Sequence, residues 1–362
     1  MNTAPLLVFI SMFAPADTGG IRGFHLDPHT GVLTPAAETR GVPHPFFLAL
    51  APNGKTLYSI WADSFAGPEH GEIAAWRIAD RTGKLTLIGR QSTRGTASCY
   101  LETDPSGRAL LVANYSSGDV ASLPIAADGS VLPIASFFRH EGSSVNPDRQ
   151  REPHAHAFVH APAGPDAASR LAYAADLGTD EIRGYRLDAA TARLEPSEQL
   201  TTKSAAGAGP RHLRFSKDGR VLYAINELGN TISVYRCEAG SGRLTELQTI
   251  PTLPEGTLLK TLTADLRLTP DGRFLYGTNR GHDSIAAYAV AADGRLSLVE
   301  IVPSLGKGPQ NLAITPDGGL LICANMPGNN VAVFRIDRET GRLTSVGKPT
   351  EITSPACIAI VP

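Results

Sequence analysis

The stretch 266–279, LRLTPDGRFLYGTN, reads as an apolar strand, a Pro-Asp-Gly turn and a second apolar strand. Variants recur as FLALAPNGKTLYSI (47–60), LRFSKDGRVLYAIN (213–226) and LAITPDGGLLICAN (312–325). Their turn glycines, Gly54, Gly219, Gly272 and Gly318, with Gly107 in blade two, supply the positive φ that a tight hairpin requires. A third strand follows each, such as TISVYRC (231–237), SIAAYAV (284–290) or NVAVFRI (330–336). A short phrase ending in leucine then opens a fourth. Its copies end at Leu33, Leu85, Leu132, Leu194, Leu244, Leu296 and Leu343, spaced 47 to 62 residues apart. Helical periodicity is not evident at any length.

Seven units of four short strands, without helices, predict an all-β fold: a seven-bladed β-propeller of antiparallel blades. The first unit lacks its innermost strand, and the closing SPACIAIVP (354–362) has inner-strand character without the rest of a blade. The last blade is therefore expected to be completed by both chain ends, which removes exposed sheet edges. On this reading residues 1–362 form one domain with no linker.

The bulk composition is that of an ordinary globular protein, 42% hydrophobic and 19% charged, with a formal charge of −2. No basic stripe is present, so neither nucleic acid nor an anionic membrane surface is expected as a partner. The four cysteines, Cys99, Cys237, Cys323 and Cys357, are widely separated with no C-x-x-C, and read as buried reduced thiols. MNTAPLLVFISMFAPA (1–16) has no basic segment before its short apolar run, and reads as a strand rather than a secretion signal. No run reaches transmembrane length. A cytoplasmic protein, monomeric or a small homo-oligomer, is the expectation.

Within each hairpin the first strand runs to the turn and the second returns, so residues flanking the pair converge on one mouth of the central channel. Arg211 and Glu227 lie almost equally far from the turn at Asp218 and Gly219. The same counting brings Asp265 and Arg280 to that mouth, and Asn114, Asp176, Gln310 and Asn325 by analogy. The segment REPHAHAFVH (151–160) occupies the matching position in blade three, ahead of a long turn APAGPDAASR (161–170). His154 and His156 are two apart on a strand and are expected to face the mouth together, with His160 deeper and structural. His25, His29, His44, His70, His140 and His282 read as loop or surface residues.

The segments REPHAHAF, LVANYSSGDV, GAGPRHLRFS, YAINELGNTISVY, TADLRLTPDGRFLYGTNR and CANMPGNNVAVFRID, in that order, resemble the lactonase family of seven-bladed propellers. That family includes propeller-type 6-phosphogluconolactonases and the fungal carboxymuconate-lactonizing enzyme. The resemblance implies a site of His156 (with His154 beside it), Arg211, Glu227 and Arg280. Two positions depart from the pattern: Gln310 stands where relatives often place arginine, and Ser98 replaces a frequent proline or glycine before the blade-two cysteine.

Opening a lactone needs a water activated by a base and stabilisation of a tetrahedral oxyanion. A histidine such as His156 suits the first task, because its pKa lies near neutrality. Arginines suit the second and bind carboxylate or phosphate bidentately. Glu227 either orients Arg211 or the histidine, or is itself the base. His154, Arg280, Asp176, Asn114 and Asp265 are the expected substrate-binding residues. His-x-His with Asp176 and Glu227 also has the makings of a metal site, but the adjacent arginines would repel a cation, so no metal and no other cofactor is expected. The leading expectation is an enzyme acting on a small anionic or acid-derived lactone by hydrolysis, with lactonizing cycloisomerisation as the runner-up. A non-catalytic binding platform is the rival class, set against it by an aromatic content of only 6%.

Overall fold

Seven antiparallel sheets build the molecule, seen in a computed structural model that describes residues 4–65, 67–162 and 171–361. Most of the long turn expected at 161–170 lies outside the described residues. The innermost strands, from blade one onward, are Leu48–Leu50, Ser98–Thr103, Ala155–His160, Pro210–Phe215, Leu262–Leu268, Pro309–Ile314 and Pro355–Ile360. Each packs against the next, and the last packs against the first, so the ring closes. Every blade orders four strands from axis to rim, and blade six splits its outermost strand into Leu343–Ser345 and Thr350–Glu351. Among the described residues no helix is long and apolar enough to cross a membrane.

Blades stack face to face, so their second strands are covered on both sides. Val221–Asn226 and Leu320–Asn325 are buried throughout, which explains why these segments read as continuous apolar runs and not as alternation. The outer strands alternate. The leucine of the repeated phrase turns inward as their first or second residue in blades three to seven (Leu194, Leu244, Leu296, Leu343 and Leu33). Blade two differs: Val131 bridges to Ile125, the outer strand begins only at Ser136, and Leu132 is left exposed.

The seventh blade is closed as the sequence predicts. Pro355–Ile360 pairs antiparallel with Leu6–Met12, matching Val8 to Ile360 and Ile10 to Ile358. The register shifts beside Ser11, whose hydroxyl oxygen accepts the backbone N–H of Cys357 at 3.0 Å. Ser11 is fully buried, so nothing else can satisfy that amide. The substitution Ser11→Ala is expected to cost about 1–3 kcal/mol in denaturant titration. An unchanged midpoint would show that blade closure does not draw on this contact.

Candidate active site

One backbone feature recurs at the start of the innermost strands. In blade two, Ser98 pairs with Asn114 and Tyr100 with Ala113, leaving Cys99 as an extra residue. The same bulge isolates His156 in blade three, Arg211 in blade four and Gln310 in blade six. Bulges re-aim the side chains they carry. Here they bring residues of neighbouring blades together at one mouth of the channel.

Glu227 is the centre of that mouth. Its Oε2 accepts from Arg211 Nε at 2.9 Å and from Arg280 at 2.7 Å, and its Oε1 accepts from Arg149 at 2.6 Å. Burial alone would raise this carboxyl, but the surrounding cations, Arg280 and Arg211 foremost, hold it well below the usual carboxylate range. Arg211 is also bound to the carbonyl of Ala264 at 2.6 Å, and Arg280 to that of Thr263 at 2.7 Å.

A second chain of contacts runs from Arg211. Its Nη1 lies 3.0 Å from His212 Nε2, and His212 Nδ1 lies 2.8 Å from Asp265 Oδ1. A guanidinium only donates, so Nε2 accepts and Nδ1 carries the proton toward Asp265. His212 is therefore neutral, in keeping with burial and Arg211 pushing its pKa well below that of free histidine. His156 is held neutral in the same way, by burial first and Arg211 second. Its ring meets that of His212 edge-on at 5.5 Å and the edge of Tyr115 at 5.2 Å. His154 stacks flat on Tyr115 with centroids 4.4 Å apart. Cys99 Sγ sits 3.6 Å from His156 Nδ1, with burial pushing its thiol up to about 12, so it stays protonated.

Of the residues expected here, His154, His156, Arg211, Glu227 and Arg280 come together, with Asp265 behind them. Asp265 is fully buried and already bound to His212, Asn311 (2.7 Å) and the Leu312 amide (2.9 Å); burial raises its carboxyl to about 6. Asn114, Asp176 and Asn325 do not join the cluster. Asn114 Nδ2 donates to Asp119 and Asn325 Nδ2 to Asn330, tying the second strand to the third, as Asn226 does with Thr231 and Asn279 with Ser284. Their counterpart in blade three, Asp176, accepts the amides of His154, Gly178 and Thr179 and the ring of His140. The structural equivalents of Glu227 and Arg280 are thus one residue later, and in blade two that residue is Tyr115. His140, expected at the surface, is instead buried between Asp176 Oδ2 (2.6 Å) and Tyr185 Oη (2.8 Å). His160 lies 2.6 Å from Glu102, away from the mouth. Sequence reasoning missed Arg149, His212 and Tyr115. Only Tyr115 had a usable signal, its place directly after the strand-end asparagine. Among the described residues, no three His, Cys, Asp or Glu side chains are grouped so as to hold a metal ion.

The family model described as "Lactonase, 7-bladed beta-propeller" matches residues 7–360. The chain belongs to this lactonase family. Within it, a 6-phosphogluconolactonase of Bacillus subtilis is 31% identical, the match covering 97% of each chain. Among solved structures, a putative 6-phosphogluconolactonase from Bacteroides fragilis superposes with a TM-score of 0.89 at 30% identity, covering 100% of this chain and 99% of the other. The periplasmic gluconolactonase of Pseudomonas aeruginosa gives 0.90 at 31% identity, with 99% of both chains covered.

Removing the shared counter-charge of this cluster is expected to be costly. Glu227→Gln leaves three guanidinium groups without their carboxylate, a loss of about 3–5 kcal/mol. Because the folded pKa lies below the reference value of 4.5, the carboxylate's contribution is complete above that pH and fades as pH falls further. The variant's unfolding free energy should therefore depend less on pH below about 4.5 than the wild type's. Equal stabilities with parallel acid profiles would contradict this assignment.

Proposed function

We propose that the protein hydrolyses a sugar-acid lactone, of the 6-phosphogluconolactone kind, at this channel mouth. The observation that carries the reading is the meeting of a neutral His156 with Arg211, Arg280 and Glu227 in a lactonase-family chain. The names of the relatives support the substrate class.

In this scheme the lactone carbonyl faces the guanidinium groups of Arg211 and Arg280. Water adds to the carbonyl carbon as the His156 imidazole takes its proton, and the carbonyl oxygen becomes an oxyanion stabilised by the preset positive charge. Collapse breaks the acyl bond to the ring oxygen, which takes the proton back from the imidazolium. The product is the open hydroxy acid. Glu227 acts as the fixed counter-ion that holds the arginines in place, because a carboxylate so strongly stabilised is a poor base. His154 and Tyr115 form an aromatic wall beside the base.

A pH-stat assay on glucono-δ-lactone with and without a 6-phosphate, net of spontaneous hydrolysis, tests the reading. His156→Ala should lower kcat at least about 100-fold, as loss of a general base does. Arg280→Ala should lower kcat and kcat/KM together, by about 10-fold or more, because it removes a guanidinium from the oxyanion. Since burial and Arg211 lower the His156 pKa, the base stays unprotonated to below pH 6.5, and kcat/KM should show no acid limb between pH 8 and about 6.5. Wild-type rates in both variants would place the chemistry elsewhere.

A further inference from the structure

The connection 140–154 joins blade two's outer strand to blade three's innermost strand, and it is longer than the corresponding connections of the other blades, the next longest being 252–261. One carboxylate clamps both of its ends. Asp176 accepts the His140 ring at 2.6 Å through Oδ2 and the His154 amide at 2.9 Å through Oδ1. Between the ends, Ser144 Oγ donates to Asp180 Oδ2 at 2.5 Å, and the fully buried Gln150 donates to the Leu177 carbonyl at 2.8 Å. Gln150 also ties the connection to itself, its backbone and side-chain oxygens accepting the amides of Ser144 and Asn146. This is a braced arm with a set shape.

Arg149 projects from the arm over the mouth, 2.6 Å from Glu227 Oε1 and 3.0 Å from Tyr115 Oη. Three guanidinium groups therefore share one carboxylate, a local surplus of two positive charges. The three differ in access. The Arg211 side chain is 1% exposed, that of Arg280 24% and that of Arg149 32%. Arg149 is thus the most accessible of the three cations, and the proposed scheme gives it no task at the lactone carbonyl.

Resting on that scheme, we propose that Arg149, carried on this braced arm, recognises an anionic group on the substrate remote from the lactone carbonyl. A guanidinium fork suits a phosphate or a carboxylate, and the surplus of two charges matches a phosphate dianion best.

The test measures binding of three stable acids by calorimetry: 6-phosphogluconate, glucarate and gluconate. Wild type should bind 6-phosphogluconate at least about 30-fold more tightly than gluconate, the scale of one charge-assisted contact. Glucarate should show a smaller advantage. Arg149→Ala should erase most of either advantage, and Arg149→Lys should keep part of it, holding the charge without the fork. The ratio of kcat/KM for the phosphorylated over the plain lactone should fall in parallel. Because each quantity is a ratio within one protein, general loosening of the mouth does not move it, and the lysine variant covers an alanine variant that fails to fold. Ratios unchanged in Arg149→Ala, or no anion advantage in the wild type, would overturn the proposal. A wild type that turns over neither lactone would defeat the hydrolysis scheme, while the binding ratios would still decide the role of Arg149.

Discussion

A single carboxylate bonded to three guanidinium groups organises the strand-end mouth of this propeller. Glu227 would be costly to bury alone. It is tolerated because Arg211 from its own blade, Arg280 from the next and Arg149 from the arm before blade three all donate to it. The carboxylate in turn fixes three cations that would otherwise repel one another, before any ligand arrives. Cations held in this way stabilise a developing negative charge without reorganising at the moment of reaction. The neutrality of His156 and His212 comes first from burial and next from Arg211 of the same cluster.

The architecture was legible because a propeller repeats its turn chemistry. Each Pro-Asp-Gly hairpin announces two strands, and the missing inner strand of the first unit matches the orphan strand at 355–360. Equal counting about Asp218 and Gly219 also paired Arg211 with Glu227. The local detail was harder to read. A bulge at the second residue of the inner strand has no composition of its own, and it turns Arg211 toward the mouth while its neighbour His212 reaches the same cluster. Simple strand parity would send the two to opposite faces, so His212 went unnoticed. The strand-end position slipped by one, and Asn114 and Asp176 were read in place of the residues after them. Arg149 and His140 lie at or beyond the edge of the repeat. Their partners are 78 and 36 residues away in sequence, where no local pattern can point.

The two faces of the disc have different characters. A cavity of about 1170 Å³ opens among the hairpin turns on the face opposite the site, beside Asn53, Lys55, Arg77 and Asp128, and its lining contains no histidine. The strand-end mouth combines neutral imidazoles and fixed cations, the kinds of group on which the proposed acyl transfer to water draws.

The most direct measurement is a crystal structure of the protein with a lactam analogue of the lactone, in which nitrogen replaces the ring oxygen and blocks hydrolysis. The account predicts the analogue at the strand-end mouth, its carbonyl oxygen within hydrogen-bonding distance of Arg211 or Arg280 and its carbonyl carbon on the His156 side. An analogue seated among the hairpin turns of the opposite face, or bound with its carbonyl turned away from both arginines, would contradict it.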